Sequence, residues 1–294
     1  MDLVTIIFHH EIEMKLLKLQ AASLCYMDEH LIHTIYILCH DKDPLSDGDK
    51  KNLVACYPPL FQSRVVILHS LTLDPRFTTT SWTTQQIVKL LVSRCVKSSY
   101  YLVLDSKNHF VRPVSFSDYF DPTTNHPRLF TGKEMYMRKY YDQGLAYFGV
   151  QCPFQYQGEE DDRVLQTMTP YLFRTRDVLN LLEYIETREK ISFYDFFMYR
   201  NRDHQRTTEF YLFSTFLIFS GRIHEYCLTP RNFSSIMHLP PSLTLRLSDV
   251  LKNPHIKVLG LHRRVVSSWN DKEKEELVAF YQNFYDHHLF QAFL

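Results

Sequence analysis

Over the first hundred residues short apolar runs alternate with amphipathic stretches, and this alternation restricts the possible folds more than any other feature. It is the pattern of βαβ units, in which each strand buries both faces and each crossover helix buries one, and it predicts a mostly parallel sheet. Leu3–Phe8 reads as a first strand, and Ile12–Met27 repeats apolar residues at helical spacing. His33–Cys39 and Arg64–Leu68 read as the second and third strands; Asp41–Asp49, between them, carries the Asp, Pro, Ser and Gly of turns and helix caps. Ser81 can cap a helix running to about Val96, and Tyr100–Leu104 makes a fourth strand that delivers Asp105 at its carboxyl end. The expected fold class is α/β, a mostly parallel sheet flanked by helices. Such sheets bind ligands in the crevice beyond the carboxyl ends of their strands, so Asp105 stands where function is expected.

After Pro113 the pattern is less regular. Helices are expected over Lys133–Tyr147, Thr175–Arg188 and Thr207–Phe219, with a late strand at Ile256–Leu261. Asn270, with Glu273 three residues on, has the spacing of a capping box for a closing helix. No internal repeat or long linker is visible, and the whole chain, 1–294, is expected to form one domain. The 22 Phe and 19 Tyr gather after Tyr136; such a surplus usually means core, although tyrosines also line sugar-facing surfaces.

Lys+Arg and Asp+Glu both number 33, and no basic stripe interleaves with aromatics, which argues against a nucleic-acid partner. The six cysteines lie singly, without zinc-site spacing, as expected of free thiols in a reducing cytoplasm. Asp2, His9, His10 and Glu11 interrupt any leader-like apolar segment, and the longest apolar run, Tyr211–Ser220, is too short to span a bilayer. There is no Gly-rich Walker loop, nucleophile elbow or His-Glu-x-x-His, and seven glycines leave no dinucleotide fingerprint.

The residues able to carry chemistry begin with Asp105-Ser-Lys107-Asn108-His109. A strand-end carboxylate can hold a divalent cation against a diphosphate, since hard cations take oxygen ligands; it can equally cap a loop. Glu209 can act as a base toward a hydroxyl or can simply occupy the first turn of its helix, where negative charge is favoured. Gln86 and Lys89 share a helix face with Trp82 at i, i+4 and i+7 spacing. His9 and His10 follow the first strand, and Glu159–Asp162 is an acidic run whose simplest reading is a solvated loop.

Trp82-Thr-Thr-Gln85-Gln86-Ile-Val-Lys89-Leu90, followed by Tyr101-Leu-Val-Leu-Asp105, resembles the Trp-x-x-Gln-Gln-x-x-Lys-Leu helix and Asp-x-Asp strand of a bacterial glycosyltransferase-like family with the GT-A fold. Thr5–Ser23, with Glu11, Leu17 and Ser23, is similar to that family's first βα unit; Thr208-Glu209-Phe-Tyr211 and Leu261-His262-Arg263 match it at short points. The resemblance implies a glycosyltransferase with a nucleotide-sugar donor half over residues 1–113 and an acceptor half over 114–294. It implies that Asp105 and His262 hold Mn²⁺ or Mg²⁺, that Lys107, Gln86, Lys89, Asn108, Thr5, Glu11 and Arg263 contact the donor, and that Glu209 and Asp105 are catalytic. The implied partners are a nucleotide sugar and a glycan or lipid-linked glycan acceptor. The implied setting is bacterial capsule or O-antigen synthesis in the cytoplasm, with peripheral attachment to the inner membrane or to other assembly domains. The sequence departs from the pattern at Lys107, which stands where the second Asp belongs; a charged ammonium is no metal ligand but can meet phosphate directly as a point charge.

Overall fold

The strands read from the sequence form with their ends displaced by a residue or two. Asp2–Ile7 pairs in parallel with Ile35–Cys39, which pairs in parallel with Val65–His69, from Leu3 opposite Ile35 to Cys39 opposite His69. Leu3, Val4, Ile6, Ile7 and all of Ile35–Cys39 are buried, so side chains on both alternating faces are covered, as the continuous apolar runs require. The structure, a computed structural model, describes residues 1–8, 11–133, 137–153, 163–165, 168–202, 206–229, 234–237 and 243–285. These fall into two compact units, interleaved along the chain: residues 1–2, 70–103 and 117–232 in one, and 3–69, 104–116 and 233–294 in the other.

The second of these units contains the three parallel strands, the Glu11–Ser23 helix and a small sheet in which Ser234–Met237 runs parallel to Val258–Leu261 and Asn108–Phe110 antiparallel to it. The expected helix to Met27 stops at Ser23 and tightens into a 3₁₀ turn over Leu24–Tyr26. Leu16 and Leu19 of the helix pack with Leu259, Leu261, Trp269 and Phe280. Asn270 and Glu273 make the capping box expected of them.

Burial in this unit has a consequence for acid stability. His109 is 1% exposed and bonds through Nε2 to the Tyr281 hydroxyl, and burial pushes its pKa down to about 3. His40, also buried, is pushed down to about 4 by burial, with Asp41 opposing the shift and His69 adding to it. Both histidines are neutral when folded but take up a proton near pH 6.5 when unfolded. Their contribution is therefore intact above pH 6.5 and is lost as pH falls toward 4, at roughly 1.4 kcal/mol per pH unit for each. Urea unfolding at pH 7.5 and pH 5 is expected to show this loss, and His109→Asn is expected to remove about half of the slope.

The other unit is helix-rich. Tyr100–Val103 pairs antiparallel with Tyr171–Arg174, a strand not apparent from the sequence. The helices Trp82–Leu91, Thr175–Glu189 and Glu209–Phe219 follow their expected spans closely, the first ending in a 3₁₀ turn at Arg94. Every residue from Glu209 to Leu217 is buried, so the apolar run Tyr211–Ser220 is a core helix. The helix expected from Lys133 begins instead at Arg138 and runs to Phe148; Arg128–Lys133 is a strand because it finds partners in Cys227–Thr229 and Arg163–Leu165. Gly144 lets that helix approach Glu209–Phe219, since a Cβ there would lie 2.8 Å from Thr215 Oγ1. Much of the aromatic surplus is core: Tyr171 stacks on Phe210 with centroids 4.4 Å apart, and Phe173 meets Phe213 edge-on. Among the described residues no helix is long and apolar enough to cross a membrane.

Candidate functional site

The loop after the fourth strand is held by its backbone. Asn108 N–H donates to the Asp105 carbonyl at 2.8 Å, closing a turn over residues 105–108, and Leu261 N–H donates to the Lys107 carbonyl at 2.9 Å. That second bond brings His262 and Arg263, the next residues along the chain, to the same loop. Gln20, 1% exposed, lies beneath: its Nε2 donates to the carbonyls of Asp105 (2.7 Å) and Asn108 (3.0 Å), and its Oε1 accepts from Thr5 Oγ1 at 2.8 Å.

On this support the charged groups pair. Lys107 Nζ is 2.8 Å from Asp105 Oδ2, the two side chains 23% and 16% exposed. Ser106 Oγ donates to Glu13 Oε2 at 2.6 Å, and Glu13 Oε1 is 3.5 Å from an Arg263 guanidinium nitrogen. His262 Nδ1 accepts the Arg264 N–H at 3.3 Å. One loop thus gathers two cations, two carboxylates and an imidazole.

The expected Mn²⁺ or Mg²⁺ does not fit these residues. Among the described residues no three His, Cys, Asp or Glu side chains come together as a metal site, and the Lys107 ammonium already stands against one of the two Asp105 carboxylate oxygens.

The expected donor-contacting residues divide by exposure. Lys107 and Arg263 reach solvent. Thr5 and Asn108 are 0% exposed, and the Thr5 hydroxyl donates to Gln20, which supports the loop. Glu11 is on the surface, paired with Lys15 one turn along at 3.1 Å; the carboxylate that joins the cluster is Glu13, two residues on and across the helix.

Gln86, Lys89 and Glu209 belong to the other unit and form a buried group. Lys89 Nζ lies 2.9 Å from Glu209 Oε1 with both side chains nearly inaccessible, and it sits 5.0 Å from the centre of the Phe210 ring. The Glu209 N–H donates to Gln86 Oε1 at 3.2 Å, while the Thr208 hydroxyl accepts from Tyr211 N–H and caps the helix. Glu209, expected to face an acceptor as a base, is here a buried ion-pair partner. His9, His10 and Glu159–Asp162 lie outside the described residues.

Gln20 and Glu13 were not anticipated. Gln20 is signalled by one amide within the apolar end of the helix, Leu19–Ala22; Glu13 has no signal to separate it from Glu11.

The α/β architecture, with its mostly parallel sheet flanked by helices, matches that of GT-A glycosyltransferases. An active-site mutant of LgtC has a TM-score of 0.52 at 12% identity, over 100% of both chains. The galactosyltransferase LgtC in complex with donor and acceptor sugar analogs gives 0.48 at 12% identity, again over 100% of both chains. Mouse xyloside xylosyltransferase 1 gives 0.46 at 12% identity, over 90% of this chain and 98% of that one. At such identity the likeness is one of fold, and the first of the three carries it. The chain itself belongs to the family of unknown function DUF6492, which matches residues 13–239. No curated protein matches the sequence.

Proposed function

We propose that the protein is a glycosyltransferase that moves a sugar from a nucleotide-activated donor to a hydroxyl of a glycan or lipid-linked glycan. In this reading the acceptor oxygen bonds to the anomeric carbon, the bond from that carbon to the diphosphate breaks, and the hydroxyl proton passes to a base. The observation that carries the reading is the strand-end loop, where Lys107 pairs with Asp105 and Arg263 joins through Glu13 and Ser106, in a GT-A-like fold. Both cations can meet diphosphate oxygens, Arg263 through a planar fork and Lys107 as a point charge. Synthesis of a bacterial surface polysaccharide, capsule or O-antigen, is the pathway that the resemblance of Trp82–Leu90 and Tyr101–Asp105 supports.

A ligand that binds only the folded state raises its apparent stability. A thermal-shift panel of nucleoside diphosphates and nucleotide sugars is expected to show one nucleotide class raising Tm, with the shift reduced by at least half in Asp105→Ala at the same ligand concentration. A panel without any shift sinks the reading. The second reading, a non-catalytic sugar- or nucleotide-binding module, is favoured by Lys107 in place of the second Asp. It predicts the same shifts with no release of nucleoside diphosphate from any nucleotide sugar.

A further inference from the structure

We infer that the Lys107 ammonium takes the place of the divalent cation, so that this loop binds a diphosphate without a metal ion. The inference rests on the nucleotide-donor reading above and names how that site is charged. In the Asp-x-Asp arrangement implied by resemblance, two carboxylates carry two negative charges and a divalent ion cancels both. Here Asp105 carries one negative charge and Lys107 cancels it. Exchanging an aspartate for a lysine changes the loop by two charge units, the charge of the ion itself. The loop therefore presents a diphosphate with the net charge of a metal-loaded loop while holding no metal.

Geometry agrees with the charge count. The ammonium reaches solvent but is tethered; it lies 2.8 Å from Asp105 Oδ2, against the first carboxylate of the motif. The Lys107 carbonyl is fixed to the N–H of Leu261, two residues before Arg263, and Arg263 has 42% of its side chain exposed. A guanidinium offers two parallel donors to phosphate oxygens, and charge-assisted bonds of this type are the strong ones. Glu13 holds Arg263 from the helix side, and Ser106 fixes Glu13 in turn. The loop thus provides one compact charge and one forked donor, as well as a carboxylate that keeps the ammonium in place when no phosphate is present.

The test is calorimetric binding of uridine, guanosine and cytidine diphosphates to the intact chain, in EDTA and then in Mn²⁺ or Mg²⁺. In wild type the affinity of the nucleotide that binds is expected to change by no more than about twofold between EDTA and metal. Lys107→Asp, which restores the acidic pair at a solvent-reaching turn position, is expected to lose at least tenfold affinity in EDTA and to regain it with Mn²⁺. Lys107→Met, which keeps the length and removes the charge, is expected to lose at least tenfold under both conditions. Wild-type binding that disappears in EDTA and returns with metal overturns the inference while leaving the donor reading intact, and that arm needs no variant to fold. No binding of any diphosphate under any condition overturns the donor reading and this inference with it.

Discussion

Glu209→Ala is expected to destabilise the folded chain by about 3–5 kcal/mol, the typical cost of leaving one member of a buried ion pair without its partner. Lys89 and Glu209 are 6% and 4% exposed and only 2.9 Å apart, so the variant takes the carboxylate away from an ammonium that is itself buried. The Phe210 ring lies 5.0 Å from the ammonium, and the Gln86 side-chain oxygen is engaged by the Glu209 amide. Urea unfolding followed by tryptophan fluorescence measures the loss. The double variant Lys89→Met/Glu209→Leu is expected to recover most of it, because well-packed apolar residues often replace a buried pair at little or no cost. Should Glu209→Ala keep wild-type stability while abolishing turnover, the carboxylate is a catalytic base and the buried-pair reading fails.

Gln20→Leu is expected to cost about 1–3 kcal/mol for each buried group it leaves unpaired; it takes the amide from the carbonyls of Asp105, which keeps the Asn108 N–H, and Asn108, and takes the acceptor from the Thr5 hydroxyl. The shape of the side chain is nearly preserved, so the loss reports on hydrogen bonds and not on a cavity. Because those carbonyls belong to the turn that carries Lys107, nucleotide affinity is expected to fall along with stability. Gln20→Glu separates the two effects: it keeps an acceptor for Thr5 but places carboxylate oxygen against two carbonyls. A Gln20→Leu protein with wild-type unfolding and wild-type nucleotide affinity would show that the amide does not hold the turn.

The sheet was legible because its strands are apolar on both alternating faces; Leu3–Ile7 and Ile35–Cys39 admit few other assignments. Helix ends were legible where a capping side chain announces them, at Ser81 with Thr84 and at Asn270 with Glu273. Tyr171–Arg174 and Asn108–Phe110 were not, being three or four residues long and dependent on partners remote in sequence. Pairing overrode local preference at Lys133, where the expected helix start is instead a strand end. At the site, Asp105 followed from strand order and the Lys107 departure from the motif. Sequence spacing could not show that Lys89 and Glu209 meet in the interior. Neither could it choose Glu13 over Glu11, since two acids in one helical turn look alike until the helix has a buried side.

The Lys89–Glu209 contact also limits how this chain can change over generations. A replacement at either position alone leaves the other charge buried, and a loss of about 4 kcal/mol lowers the ratio of folded to unfolded chains roughly a thousandfold. Any lineage that loses one of these residues must acquire its companion's replacement almost at once, or else reach a less charged interior through polar intermediates. Two positions far apart in the gene are therefore inherited in effect as a single trait.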